Sequence, residues 1–98
     1  MASKEGLQIT IQKGESFYVG DLRVEMFDVI DSREFKLKIH GSFDQIVTVG
    51  RDRPQEVAPN VMVHSAEGGN WQHIKVRIVA PKNISLLREK LYRKAKES

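Results

Sequence analysis

A chain of 98 residues holds one small domain, which excludes a multidomain enzyme. With 40% apolar and 30% charged residues it reads as soluble and globular, and without cysteine it has no disulfide, thiolate metal site or cysteine nucleophile. The formal charge of +3 is uneven: residues 82–98 carry six basic side chains against Glu89 and Glu97, while residues 1–81 are close to neutral. A basic terminal segment of this kind suits a polyanionic partner or a solvated helix face.

The dominant period is two. Leu7, Ile9 and Ile11 alternate with Gln8, Thr10 and Gln12, as in a strand with one buried face. A turn at Lys13-Gly14-Glu15, a short strand at Ser16–Val19 and a turn at Gly20-Asp21 come next. Val24 and Met26 start a third strand, whose phase breaks at Phe27, Val29 and Ile30, the mark of a bulge or an edge. Phe35, Leu37 and Ile39 then alternate cleanly with Lys36, Lys38 and His40. Ile46–Val49 is β-branched throughout and stops at Gly50. Weaker strands are expected around Val57 and at Val61–Val63, separated by Pro59-Asn60. After the turn Glu67–Asn70, Ile74, Val76 and Ile78 alternate with Lys75 and Arg77 until Ala80-Pro81, and Ile84-Ser85-Leu86 forms a last short strand. From about Leu87 the spacing of Leu87, Leu91 and Ala95 predicts a helix with one narrow apolar face. The predicted fold class is mainly β, seven to nine strands with one C-terminal α-helix. No apolar run exceeds four residues, too short to span a membrane, and the polar N-terminal segment lacks a signal peptide's apolar stretch. A cytoplasmic location is expected.

Catalytic chemistry finds little support. His40, His64 and His73 stand in or beside predicted strands with no metal-ligand spacing around them, and Gly68-Gly69-Asn70 is a hairpin turn with no phosphate-loop lysine after it. The carboxylates are scattered singly among basic residues. No catalytic residue, metal or cofactor is expected. Trp71, the only tryptophan, sits beside a turn, where such a residue more often covers the end of a sheet core than stacks on a base.

The two ends of the chain carry more specific patterns. In the first half these are Ile9-Thr10, Gly14-Glu15-Ser16 and Val19-Gly20-Asp21; at the end they are Ala80-Pro81-Lys82, Arg88-Glu89 and Leu91-Tyr92. Together they resemble the carbon storage regulator family, small bacterial RNA-binding repressors of translation. The resemblance implies intertwined antiparallel β-sheets, because that family's protomers complete one another's sheets in a homodimer. The chain is longer than the family core by more than half. An insertion between the matching ends accounts for this, as do two units in tandem, which fit the spacing better. The tandem units are 7–41, which lacks the last strand and helix, and 45–98, which retains them; fused within a single domain spanning 1–98, they make a single-chain pseudo-dimer.

The resemblance also implies a site where RNA carrying a GGA element lies between a first strand and a last strand. The family's principal arginine matches Arg88, with Ile84, Leu86 and Leu87 as last-strand neighbours and Ile9 and Thr10 on the first strand. The family's second arginine has no match, since Ile11 and Gln12 stand at that place; Lys13, Lys36 and Lys38 could supply replacement charge, although the sequence alone favours reading them as solvent-facing lysines. The implied function is post-transcriptional regulation: binding GGA-containing single-stranded or hairpin-loop RNA, in an mRNA leader or a small regulatory RNA, as a monomeric pseudo-dimer or a homodimer. An alternative is a protein-interaction module that pairs with or antagonises a carbon storage regulator, and a plain structural β-module is a third.

Overall fold

Alternating apolar and polar residues carry the chain back and forth through a series of short antiparallel strands. The computed structural model describes residues 4–89 together with Lys94. Within them are β1 (Lys4–Ile11), β2 (Ser16–Val19), β3 (Leu22–Asp31), β4 (Glu34–His40), β5 (Asp44–Val49), β6 (Gln55–Ala58), β7 (Val61–Ser65), β8 (Ile74–Pro81) and β9 (Leu86–Arg88). They form a four-stranded sheet in the order β1-β8-β7-β6 and a five-stranded sheet in the order β5-β4-β3-β2-β9. One sheet is the consecutive run β6-β7-β8 with β1 brought from elsewhere in the chain; the other is the consecutive run β2-β3-β4-β5 with β9 added on the far side of β2. The β2–β3 and β6–β7 hairpins are both closed by two residues, Gly20-Asp21 and Pro59-Asn60.

One apolar core joins the two sheets. Ile9 and Ile11 of β1, Phe17 and Val19 of β2, Val24 and Met26 of β3, and Phe35, Leu37 and Ile39 of β4 meet Val61 and Val63 of β7 and Ile74, Val76 and Ile78 of β8. The inward positions alternate with half-exposed ones throughout β4, as the sequence pattern requires. The phase break at Phe27 is a pair of register shifts in the β3–β4 ladder, between Met26 and Asp28 and between Val29 and Asp31. Such bulges leave a residue unpaired and twist the strand, and Phe27 is turned outward beneath the Lys38 ammonium, 5.5 Å from the ring centre.

The expected C-terminal helix is corrected at its start. Leu86–Arg88 are a strand, paired with β2, and no helix is among the elements of the described residues. The fold is therefore nearly all β, two antiparallel sheets, in place of a β-fold with a helix beginning near Leu87. The reason lies in competing periods. Ile84 and Leu86, two apart, both pack against the core, and main-chain pairing to β2 carries that period of two through Leu87. The Leu87–Leu91–Ala95 spacing offers only a narrow stripe in comparison. Residues 90–93 and 95–98, on which the rest of that helix was expected, lie outside the described residues. No helix among the described residues is long and apolar enough to cross a membrane.

Candidate nucleic-acid interface

β9 is held at its place by backbone chemistry rather than by its own length. Val19, Tyr18 and Phe17 face Leu86, Leu87 and Arg88 across an antiparallel ladder, and the Gly20 N–H donates to the Ser85 carbonyl at 2.7 Å. The turn leading into it closes through the Ile84 N–H and the Pro81 carbonyl at 3.1 Å. Ile84, Leu86 and Leu87 are half-buried, whereas Arg88 is exposed and takes part in no ion pair with another described residue. Among the described residues β9 ends its sheet, so one side of its backbone is unpaired.

β1 ends the other sheet. Its alternation buries Ile9 and Ile11 and leaves Gln8 and Thr10 on the outer surface, opposite Arg77 and Lys75 of β8. Ile9 is thus a packing residue, and Thr10 is the one of that pair with an outward face. Ile11, where the resemblance would place an arginine, is a core position here. β5 and β6 touch on one flank of the two sheets, which leaves β1 and β9 to the opposite flank; no main-chain pairing joins these two strands. The connection Gln12–Glu15 carries the chain from the end of β1 directly into β2, the strand that holds β9.

The cations expected to assist Arg88 are unequally free. Lys13 pairs with Asp28, Nζ to Oδ1 3.3 Å. That hydrogen bond, reinforced by one from the Val29 N–H, holds the Asp28 carboxyl below the usual carboxylate range. Lys38 is drawn toward Asp44 at 3.8 Å and to the Phe27 ring, and Lys36 stands opposite Asp28. The outer face of the five-stranded sheet is knit further by His40, whose Nε2 lies 2.8 Å from Glu25 and whose Nδ1 lies 3.7 Å from Asp44. On the four-stranded sheet, by contrast, Lys75 and Arg77 have no ion pair with a described residue. Neither residue was singled out from the sequence as a binding cation, although the alternation Ile74–Ile78 already places both on the outer face.

A second feature escaped the sequence reading. Trp71 does not cover the core; it is 68% exposed at the tip of the β7–β8 hairpin. Asn70 and His73 exchange two backbone hydrogen bonds, and the Asn70 side-chain oxygen accepts from the N–H groups of both Gln72 and His73 at 2.9 and 3.0 Å. These bonds clamp Trp71 and Gln72 at the tip. Gly69 is required beneath them, since a Cβ there would lie 2.8 Å from the His73 carbonyl oxygen and the Lys75 nitrogen. The tip, the Gln12-Lys13 connection and the bulged part of β3 enclose a groove of about 490 Å³ lined by Gln12, Lys13, Asp28, Val29, Trp71, Gln72 and His73. Gln12 Nε2 and His73 Nε2, 3.0 Å apart, tie the connection to the hairpin. The usable signal was Asn70 itself, a residue type whose side chain bonds the backbone two residues on and so fixes the conformation of the intervening tip.

Among the described residues no group of three or more histidine, aspartate and glutamate side chains is placed to hold a metal ion. Comparison of the chain with family models, curated proteins and solved structures finds no match.

Proposed function

We propose that this protein is a cytoplasmic RNA-binding post-transcriptional regulator that recognises GGA-containing single-stranded or hairpin-loop RNA, as the resemblance to the carbon storage regulator family implies. The observation that carries the reading is Arg88: among the described residues it is an exposed guanidinium without an acidic partner, presented by a strand whose outer backbone edge is unpaired. An open edge offers N–H and C=O groups in fixed directions, which suits base edges of an unpaired strand. A guanidinium binds phosphate bidentately and adds a salt-dependent share of affinity. Thr10 on β1 and the cations Lys75 and Arg77, which have no ion pair with a described residue, lie on the sheet that borders the same flank. Covering a leader or loop in this way blocks its use in translation without any covalent chemistry.

Further support comes from the strand order. β1 from the first part of the chain flanks β8, and β9 from the end of the chain flanks β2, as strand exchange between two fused units would require. Arg88→Ala tests the assignment directly. Affinity for a GGA-loop hairpin, measured by fluorescence anisotropy, is expected to fall at least tenfold, the loss of one charge-assisted contact of about 1.5–3 kcal/mol. Unchanged affinity in a folded variant would remove Arg88 from the site.

A further inference from the structure

We propose that Trp71 is a nucleobase-stacking residue and that the groove beneath it takes one unpaired base of a bound RNA strand. The inference rests on the RNA-binding function and adds a second contact point that Arg88 does not supply. An indole left 68% exposed forgoes most of the stabilisation its burial would bring, and it is carried on a hairpin tip whose backbone is fixed. The paired backbone bonds between Asn70 and His73 and the two bonds to the Asn70 side chain fix the backbone of the tip, and the Gln12–His73 contact braces it against the neighbouring connection. The backbone share of the ordering cost is therefore met before any ligand arrives.

The lining of the groove favours a base over an apolar side chain. Apart from Trp71, only Val29 is apolar; Gln12, Gln72 and His73 bring amide and imidazole groups able to meet the donors and acceptors on a base edge. Its volume of about 490 Å³ is that of a small-ligand site. Lys13 and Asp28 pair at the rim, and the Val29 N–H also donates to the Asp28 carboxylate, so the one acidic group of the lining is already partnered. The groove is also within reach of Arg88. Lys13 and Phe17 are four residues apart, at most about 14 Å of chain, and Phe17 is the register partner of Arg88, one strand spacing of about 4.8 Å away. A short single strand held at Arg88 can therefore extend a base a few nucleotides further on toward the groove.

Because Trp71 is the only tryptophan, fluorescence excited selectively in the indole, beyond tyrosine absorption, reports on this site alone. Titration of the full chain with a hairpin RNA carrying GGA in its loop should quench that fluorescence in step with the rise in anisotropy of the labelled RNA. Trp71→Ala should weaken binding about five- to 150-fold, and Trp71→Phe less, since base stacking survives on a smaller ring. Thermal unfolding of both variants should match the parent, as the ring contributes little to the core. Saturating anisotropy without quenching, or equal affinity of Trp71→Ala and the parent, overturns this inference and leaves the RNA-binding function standing. An RNA that fails to bind the parent protein at all overturns both.

Discussion

The β2–β3 and β6–β7 hairpins occupy equivalent places in the two sheets, and each lies at the end of its run of consecutive strands. At β2 the sheet continues into β9; at β6, among the described residues, it stops. The difference is written in a few side chains. β2 places Phe17 and Val19 in the core, and the Gly20 N–H after it donates to Ser85. β6 places a single residue, Val57, in the core, sets an exposed Glu56 beside it, and carries a register shift between Glu56 and Ala58. The residue in Gly20's place is Pro59, which has no N–H to give. Charge, bulge and proline are the devices by which natural sheets close an edge to further strands. Among the described residues the chain thus extends one sheet with Leu86–Arg88 and blunts the corresponding edge of the other, so Arg88 has no counterpart strand beside β6.

Substitutions at matched positions sharpen this contrast. The largest effect belongs to Phe17→Ala, which empties a fully buried site under the β9 edge and should cost about 3–5 kcal/mol in urea unfolding. Glu56→Ala on the counterpart strand should stay within about 0.5 kcal/mol. Equal losses at the two positions would break the distinction between a packed edge and a blunted one. A smaller effect is expected in the hairpin turns. Gly20 has φ +61° and open space around it, so Gly20→Ala meets no clash and incurs only the left-handed backbone strain, about 1–2 kcal/mol. Pro59 precedes Asn60 at φ 64°, the pattern of a type II turn, and Pro59→Ala should cost about 0.4–1 kcal/mol through the unfolded chain. Both are read by the same unfolding experiment.

Strands with one buried face were legible because their period is unambiguous: β4 and β8 match the alternation of Phe35–Ile39 and Ile74–Ile78. The bulge in β3 was legible as a phase break at Phe27. The C-terminal strand was not fully so, since Leu86 and Leu87 fit the end of a strand and the start of a helix equally. Tertiary pairing with Phe17–Val19 decides between them, and local spacing contains no trace of it. The basic excess of residues 82–98 was legible, but the pairing of individual charges was not. Which lysines are paired, Lys13 with Asp28 and Lys38 with Asp44, depends on the register of β3, β4 and β5, and the lack of a described ion-pair partner for Lys75 and Arg77 depends on that of β8. Trp71 was misread for a related reason: the sequence places it beside a turn but does not show that Asn70 clamps the tip away from the core.

Sequence-selective RNA binding is tested most directly by anisotropy with a hairpin RNA carrying GGA in its loop beside a CCA-loop control, each at two salt concentrations. Readout through the β9 edge and Arg88 predicts tight binding to the first, weak binding to the second, and a difference that persists as salt rises. Equal binding to both that vanishes in salt would mean only that basic side chains meet phosphate, and would contradict it.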